Sequence, residues 1–183
     1  MSSAGTVRQL STAQLTDHEI AVVRTILRDA FTGHGEGFSD DDWAHALGGT
    51  HFLLEKDGTI VAHAAVVERE LHAGGLPIRS GYVEAVATRP ASQHEGHGTR
   101  LIEQVNDHIR SAYPLGALSA AAPAFYARLG WVAWLGPTAV RTATAELPTP
   151  DDDGDIMILT TPSSPPLDMH AVLSCPWRSG DVW

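Results

Sequence analysis

Hydrophobic residues along this 183-residue chain switch between two spacings, and the switches outline its elements. A short first strand is predicted at 7–10. Ile20, Val23, Leu27 and Ala30 or Phe31 then recur at helical spacing, with Thr16 or Asp17 placed to cap the helix. Ser39, followed three residues later by Asp42, comes close to a capping box for a short helix carrying Trp43, Ala46 and Leu47. Gly48-Gly49 ends that helix. Segments 51–55 and 59–70 read as a hairpin about Asp57-Gly58, a strong two-residue turn signal. Residues 60–67 are apolar on both faces, so this strand is predicted to be central and covered on both sides. Gly74-Gly75 then turns the chain into a strand at 76–88, completing an antiparallel meander.

Arg89-Pro90 ends that strand, since proline cannot donate to a ladder. A polar turn follows at 93–98, and then a helix with Leu101, Ile102, Val105 and Ile109 on one face. Pro114 resets the chain. A strand at 115–120, a short helix at 121–129 containing Phe125 and Tyr126, a cap at Gly130 and a strand at 131–135 make a β–α–β pattern. A further strand is predicted at 140–145, a proline- and aspartate-rich loop at 147–154, a strand at 155–160 and a Pro/Ser-rich connection at 161–167. The C-terminal stretch carries Trp177 and Trp183, which predicts that it docks against the fold. With no repeat and no linker, residues 1–183 are read as a single α+β domain, with a mixed, mostly antiparallel sheet flanked by helices.

Composition narrows the classes of function. Apolar residues make up 43% and charged residues 19%, as in soluble globular proteins. No apolar run approaches the ~20 residues of a membrane helix, and no basic-then-apolar leader opens the chain. The one cysteine, Cys175, excludes an intrachain disulfide and fits a reducing, cytoplasmic setting. A formal charge of −10 argues against a nucleic-acid partner, which would need a basic face. The acidity is clustered at Glu36 and Asp40–42, and again at Asp151–153 and Asp155. Such clusters concentrate cations, or simply solvate a surface. No metal is expected. His94-Glu95-Gly96-His97 is not the H-E-x-x-H that sets two ligands on one helical face, and the aspartates around Gly154 miss the first and last ligand positions of a calcium loop.

The candidate chemistry sits between 81 and 109. A strand, a glycine-containing turn and a helix N-terminus form a fan of backbone N–H groups suited to phosphate. No lysine completes a Walker A loop, and Leu101 stands where a dinucleotide fingerprint has its third glycine. The motif is instead Q-x-x-G-x-G, from Gln93 through Gly96 to Gly98, after V-E-A-V-A. It resembles the acetyl-CoA pyrophosphate loop of the GNAT superfamily of N-acetyltransferases. Glu84 lies in an apolar strand on the face predicted for Tyr82 and Val86, either as a base with a burial-raised pKa or as an edge-facing or ion-paired carboxylate. Tyr126 is either a core tyrosine or a phenol within reach of a cofactor sulfur.

The segments DDDWAHALGG, GYVEAVAT, LGALSA, FYARLGW, TPDDDG and CPWRSGDVW together resemble the aminoglycoside 2'-N-acetyltransferases of actinobacteria, over nearly the whole chain. The resemblance implies a GNAT fold whose splayed strands hold CoA. It also implies acetyl transfer from acetyl-CoA, through a tetrahedral intermediate, to the 2'-amine of gentamicin-, tobramycin- or kanamycin B-type antibiotics, giving resistance. By the same resemblance Glu84 is the base, acting through water, and Tyr126 the acid that protonates the departing thiolate. Val86 and Ala87 would hold the pantetheine arm, and Gln93, His94, Glu95, Gly96, His97, Gly98 and Thr99 the pyrophosphate. Glu36, Asp42, Glu84, Ser119, Asp152, Asp181 and Trp183 would receive the drug, with the tail 175–183 docking at that site. Gly37 stands where relatives usually carry an aspartate, and His94, Glu95 and His97 where they often have arginine. Dimers are common in that family. The competing readings are a GNAT enzyme for a polyamine, amino sugar or protein amine, and a non-catalytic module binding CoA and polycations.

Overall fold

A computed structural model describes residues 5–32 and 37–183. Glu36, and with it most of the 33–37 loop, lies outside the described residues. The chain divides into two compact units, residues 1–67 with 84–105 and residues 68–83 with 106–183.

The first unit contains β1 (Thr6–Ser11), α1 (Asp17–Phe31), α2 (Asp40–His45) and β2 (Thr50–Lys56). It also holds the leading part of β3 (Thr59–Ala73), the trailing part of β4 (Leu76–Thr88) and the opening turns of α3 (His97–Ala112). Thr16 caps α1 as expected: its hydroxyl accepts from the Glu19 amide at 3.2 Å, and the Glu19 carboxylate accepts from the Thr16 amide at 2.8 Å. Those bonds and the Arg8 guanidinium hold the Glu19 carboxyl at about 2. Ser39 and Asp42 build the same box on α2. The faces so aligned bury Val23, Ile26, Leu27 and Trp43 against Leu53, Ile60 and Ala87. Each such side chain contributes roughly 1.5–3 kcal/mol when fully buried. Leu47 does not join them and is 42% exposed, because α2 stops at His45.

The hairpin about Asp57-Gly58 forms as predicted, with both residues at positive φ, and β2 pairs antiparallel with both β1 and β3. The register slips by one residue at Leu54/Glu55. Residues 60–67 are buried throughout, as an apolar run on both faces requires.

In the second unit the ladder adds β5 (Leu115–Ser119), β6 (Val132–Ala133), β7 (Thr138–Arg141), β8 (Glu146–Pro148), β9 (Ile156–Thr160) and β10 (Leu173–Pro176), with α4 at Pro123–Ala127. β5 is parallel to β4 over Ser80–Tyr82 and antiparallel to β9. β10 is antiparallel to β3 and parallel to β7. The arrangement is therefore α+β with a mixed, mostly antiparallel sheet.

Several predicted bounds shift for visible reasons. The strand expected at 131–135 shrinks to two residues, because the Leu135 and Gly136 amides leave β9 for the Met169 carbonyl. Trp131 and Trp134 stay buried, their indole N–H groups donating to Asn106 and to the Ala171 carbonyl. The strand expected at 140–145 starts at Thr138 and ends in a Thr142–Ala145 turn, after which β8 returns antiparallel. Part of the predicted 147–154 loop is thus strand.

The C-terminal segment packs within this unit through one tryptophan, not two. Trp183 is 3% exposed, and its indole donates to the Thr149 hydroxyl at 2.9 Å, whereas Trp177 is 62% exposed. Arg69 donates to the carbonyls of Pro176 and Val182 at 3.1 and 2.7 Å. The guanidinium groups of Arg69 and Arg178 both lie over the Tyr82 ring. Cys175 is fully buried, donates to the Val182 carbonyl at 3.2 Å, and has its thiol pushed up by burial.

Candidate active site

In the first unit, β4 runs into a single turn of 3-10 helix at Pro90–Ser92 and then into α3. The Arg89 amide donates to Val61 O at 2.7 Å, and its guanidinium to Ile60 O at 3.3 Å, anchoring the strand end. Gln93, His94, Glu95 and Gly96 are exposed, while His97 is buried and Gly98 and Thr99 are half-buried. His94 and Gly96 both take positive φ, 64° and 83°, and this reverses the chain into the helix. The Arg100 amide is the first to find a helical acceptor, the Gly96 carbonyl at 3.1 Å. The amides of His97, Gly98 and Thr99 therefore have no intrahelical acceptor. Buried Leu101, Ile102 and Val105 fix the helix behind them. This geometry fits a pyrophosphate.

The loop's charge is arranged differently from an arginine-bearing cradle. Glu95 accepts from Lys56 Nζ at 2.5 Å and from His97 Nε2 at 3.1 Å, and both hold its carboxyl below the ordinary range. Lys56, at the end of β2, thus brings a cation to the loop that no motif within the loop announces.

Glu84 is half-buried, Val86 is half-buried, and Ala87 is buried. Between them Ala85 sits at φ 52°, in the left-handed region that costs an L-residue roughly 1–2 kcal/mol. This breaks the two-residue period, so the face shared by Tyr82 and Glu84 does not continue to Val86 as the alternation predicted. The Ala85 carbonyl accepts from His63 Nδ1 at 2.7 Å. His63 Nε2 is 2.9 Å from His51 Nδ1, and His51 Nε2 is 2.8 Å from the Thr12 hydroxyl. Both rings are fully buried beside Trp43. Burial lowers His51 to about 4 and, with the neighbouring ring, His63 to about 3, so both are neutral near pH 7.

In the second unit, Ser119 ends β5 exposed, and Tyr126 lies in α4 edge-on to Phe125 and Trp131 at 5.0 and 6.2 Å. Pro123 opens this helix, and Leu129 and Trp131 amides close it on the Tyr126 carbonyl. Burial pushes the Tyr126 phenol up to about 12. Asp152 is half-buried in the turn after β8, and its carboxyl is raised by burial and by the charges of Asp181, Asp155 and Asp151. The structure thus brings Asp152 and Asp181 within mutual influence. Trp183 N donates to Asp181 Oδ1 at 3.2 Å, while Arg178 donates to the main-chain oxygens of Asp181 and Trp183. Asp42, in the first unit, commits Oδ2 to the cap of α2.

Sequence reading missed Lys56, the His51–His63 pair and the arginines that seat the tail. His51 and His63 each stand in an unbroken buried run of β2 or β3, and a histidine inside such an apolar run was the available signal. Among the described residues no group of three or more His, Cys, Asp or Glu is gathered as metal ligands, and no helix is long and apolar enough to cross a membrane.

Residues 11–133 match the acetyltransferase (GNAT) domain family. The chain is 41% identical over 182 residues to an aminoglycoside 2'-N-acetyltransferase of Mycolicibacterium fortuitum, covering 97% of this chain and 92% of that one. The fold is similar to a GNAT family N-acetyltransferase from Escherichia coli in complex with CoA, with a TM-score of 0.64 at 13% identity over 93% of this chain and 89% of that one. It is also similar to a GNAT family acetyltransferase from Brucella melitensis in complex with acetyl-CoA, with a TM-score of 0.61 at 17% identity over 95% and 97% of the two chains.

Proposed function

Because this chain belongs to the GNAT acetyltransferases, and to the family of the M. fortuitum aminoglycoside enzyme, we propose that it acetylates the 2'-amine of aminoglycosides from acetyl-CoA. What carries the substrate class is kinship along nearly the full length of both chains. The whole of 1–183 is read as one catalytic domain.

When bound, acetyl-CoA supplies the acyl group as an activated thioester. The chain's own residues then have separable tasks. The free amides of His97, Gly98 and Thr99 and the Lys56 cation suit the pyrophosphate, with Gln93 through Gly96 lining the loop, while the backbone of Val86 and Ala87 suits the pantetheine arm. Glu84 takes a proton from the substrate ammonium, which must be neutral before it can attack. Tyr126, lifted to about 12, is fully protonated near neutrality and so available as a donor. A thiol titrates near 8.5, so handing that proton over completely would run uphill by roughly 5 kcal/mol. The phenol therefore works chiefly by donating a hydrogen bond to the sulfur as charge develops there. Asp152 and Asp181, with Ser119 and the main chain of Trp183, form the polar surface that the second unit offers to a polycationic drug, and Asp42 contributes to the one that the first unit offers.

Thiol release from acetyl-CoA with a panel of amines tests the reading. Gentamicin and tobramycin, which carry a 2'-amine, are expected to react, and amikacin, with a hydroxyl there, to be a poor substrate. Equal rates on both kinds of drug would refute the regiochemistry. Turnover only with polyamines or amino sugars would replace the substrate class, and no thiol release with any amine would leave a binding module.

A further inference from the structure

We infer that His63 is a positioning residue: through a buried chain from Thr12 and His51 it holds the Ala85 carbonyl, and with it the left-handed kink of β4 that aims Glu84. The inference rests on the reading of Glu84 as the base.

The proton positions in this chain follow from one fixed end. A carbonyl only accepts, so the Ala85 oxygen requires the proton on His63 Nδ1. A neutral His63 then has a lone pair on Nε2, which requires the proton of His51 on Nδ1. The lone pair of His51 on Nε2 in turn receives the Thr12 hydroxyl proton, and that hydroxyl accepts from the Gly48 amide at 2.9 Å. Every member has one donor and one acceptor role filled with both imidazoles neutral, the state that burial favours. The rings cannot turn away, since His51 and His63 lie 5.2 Å apart and both pack on Trp43.

Packing alone gives no reason for such a chain. Apolar side chains would fill the same space between Trp43 and the strands without the requirement that each buried polar atom find its partner. What the chain delivers is a directed N–H at the carbonyl of the one residue of β4 whose backbone is left-handed. A strand residue in that conformation persists only when its surroundings over-determine it. The kink separates Glu84 from Val86 and Ala87, so one hydrogen bond sets the direction of the proposed base and of the backbone beyond it.

The test compares two variants of the full chain that differ only at residue 63. In His51→Leu/His63→Leu both rings become apolar and no histidine is left half-paired. In His51→Leu/His63→Asn the asparagine amide stands where Nδ1–H stood. The leucine pair is expected to fold, to lower kcat on tobramycin roughly 10–100-fold with KM for tobramycin changed less than about threefold, and to move the 13C signal of the Ala85 carbonyl. The asparagine variant should recover most of kcat and the wild-type carbonyl signal. An unmoved Ala85 signal with unchanged kcat in the leucine pair overturns the inference, as does asparagine that restores neither. If the leucine pair does not fold, His63→Asn and His63→Gln are compared instead. Asparagine places its amide near Nδ1 and glutamine near Nε2, so equal kcat values in the two would refute the role. A wild-type chain that releases no thiol with any amine defeats the functional reading alone, because the Ala85 carbonyl signal still reports whether His63 holds the kink.

Discussion

Acid is expected to destabilise this protein well before its carboxylates titrate, and the cause is the His51–His63 pair. Both imidazoles are neutral and fully buried in the fold, lowered from 6.5 to about 4 and about 3. In the unfolded chain each takes up a proton below pH 6.5, so there the unfolded state binds more protons and stability falls as pH falls. The loss begins near pH 6.5, grows by about 1.4 kcal/mol per pH unit for each histidine, and levels off only below the folded values. Between pH 7 and pH 5 that amounts to about 2 kcal/mol for each ring and about 4 kcal/mol for the pair, a large part of a typical 5–15 kcal/mol stability. Glu19, held at about 2, adds its own loss only below about pH 4.5, outside this window. Urea unfolding at pH 7, 6 and 5 should therefore show a steep fall for the wild type and a much shallower one for His51→Leu/His63→Leu, the remainder coming from His108, which burial also lowers. A wild-type change below about 1 kcal/mol over that range, or the same slope in the variant, would show that the pair is not held neutral by the fold.

Four other outcomes follow from particular groups and contacts. Tyr126→Phe keeps the packing on Phe125 and Trp131 but removes the donor, so turnover should drop roughly 10²–10⁴-fold in steady-state kinetics; a near-wild-type rate removes the role. Since burial lifts this phenol from 10 to about 12, its ionisation should produce no alkaline fall in wild-type kcat below pH 10. Asp181→Asn retains an acceptor for the Trp183 amide while deleting a charge beside Asp152, and should raise KM for tobramycin roughly 10–100-fold, the scale of one charge-assisted contact, with KM for acetyl-CoA unchanged. Equal rises in both constants would count against the tail as a drug site. Gly136→Ala would place a Cβ 2.0 Å from the Ala171 carbonyl oxygen, so denaturant titration should register a loss of about 3 kcal/mol; a variant as stable as wild type would show that this turn yields freely.

Local signals were legible wherever a few neighbouring residues decide the outcome. The Thr16 cap, the Ser39–Asp42 box, the Asp57-Gly58 turn, the buried run 60–67 and the face of α3 formed where the chain's own pattern put them. The Q-x-x-G-x-G turn likewise produced the free amides of His97 to Thr99. β10 escaped notice because Leu173–Pro176 is a short stretch with no alternation of its own, made a strand by the partners it finds in β3 and β7. The seating of Trp183 rather than Trp177 was settled by Thr149, 34 residues away.

Glu84 shows the division most clearly. Sequence alone made it a carboxylate out of place in an apolar strand, with a phosphate-binding turn a few residues beyond it. Tertiary structure decided that the strand bends at Ala85, because the donor that holds this carbonyl belongs to His63, 22 residues earlier in the chain. A dihedral that is costly for its own residue is chosen by contacts, not by local propensity. The sequence could therefore name the chemistry, while only the fold could aim it.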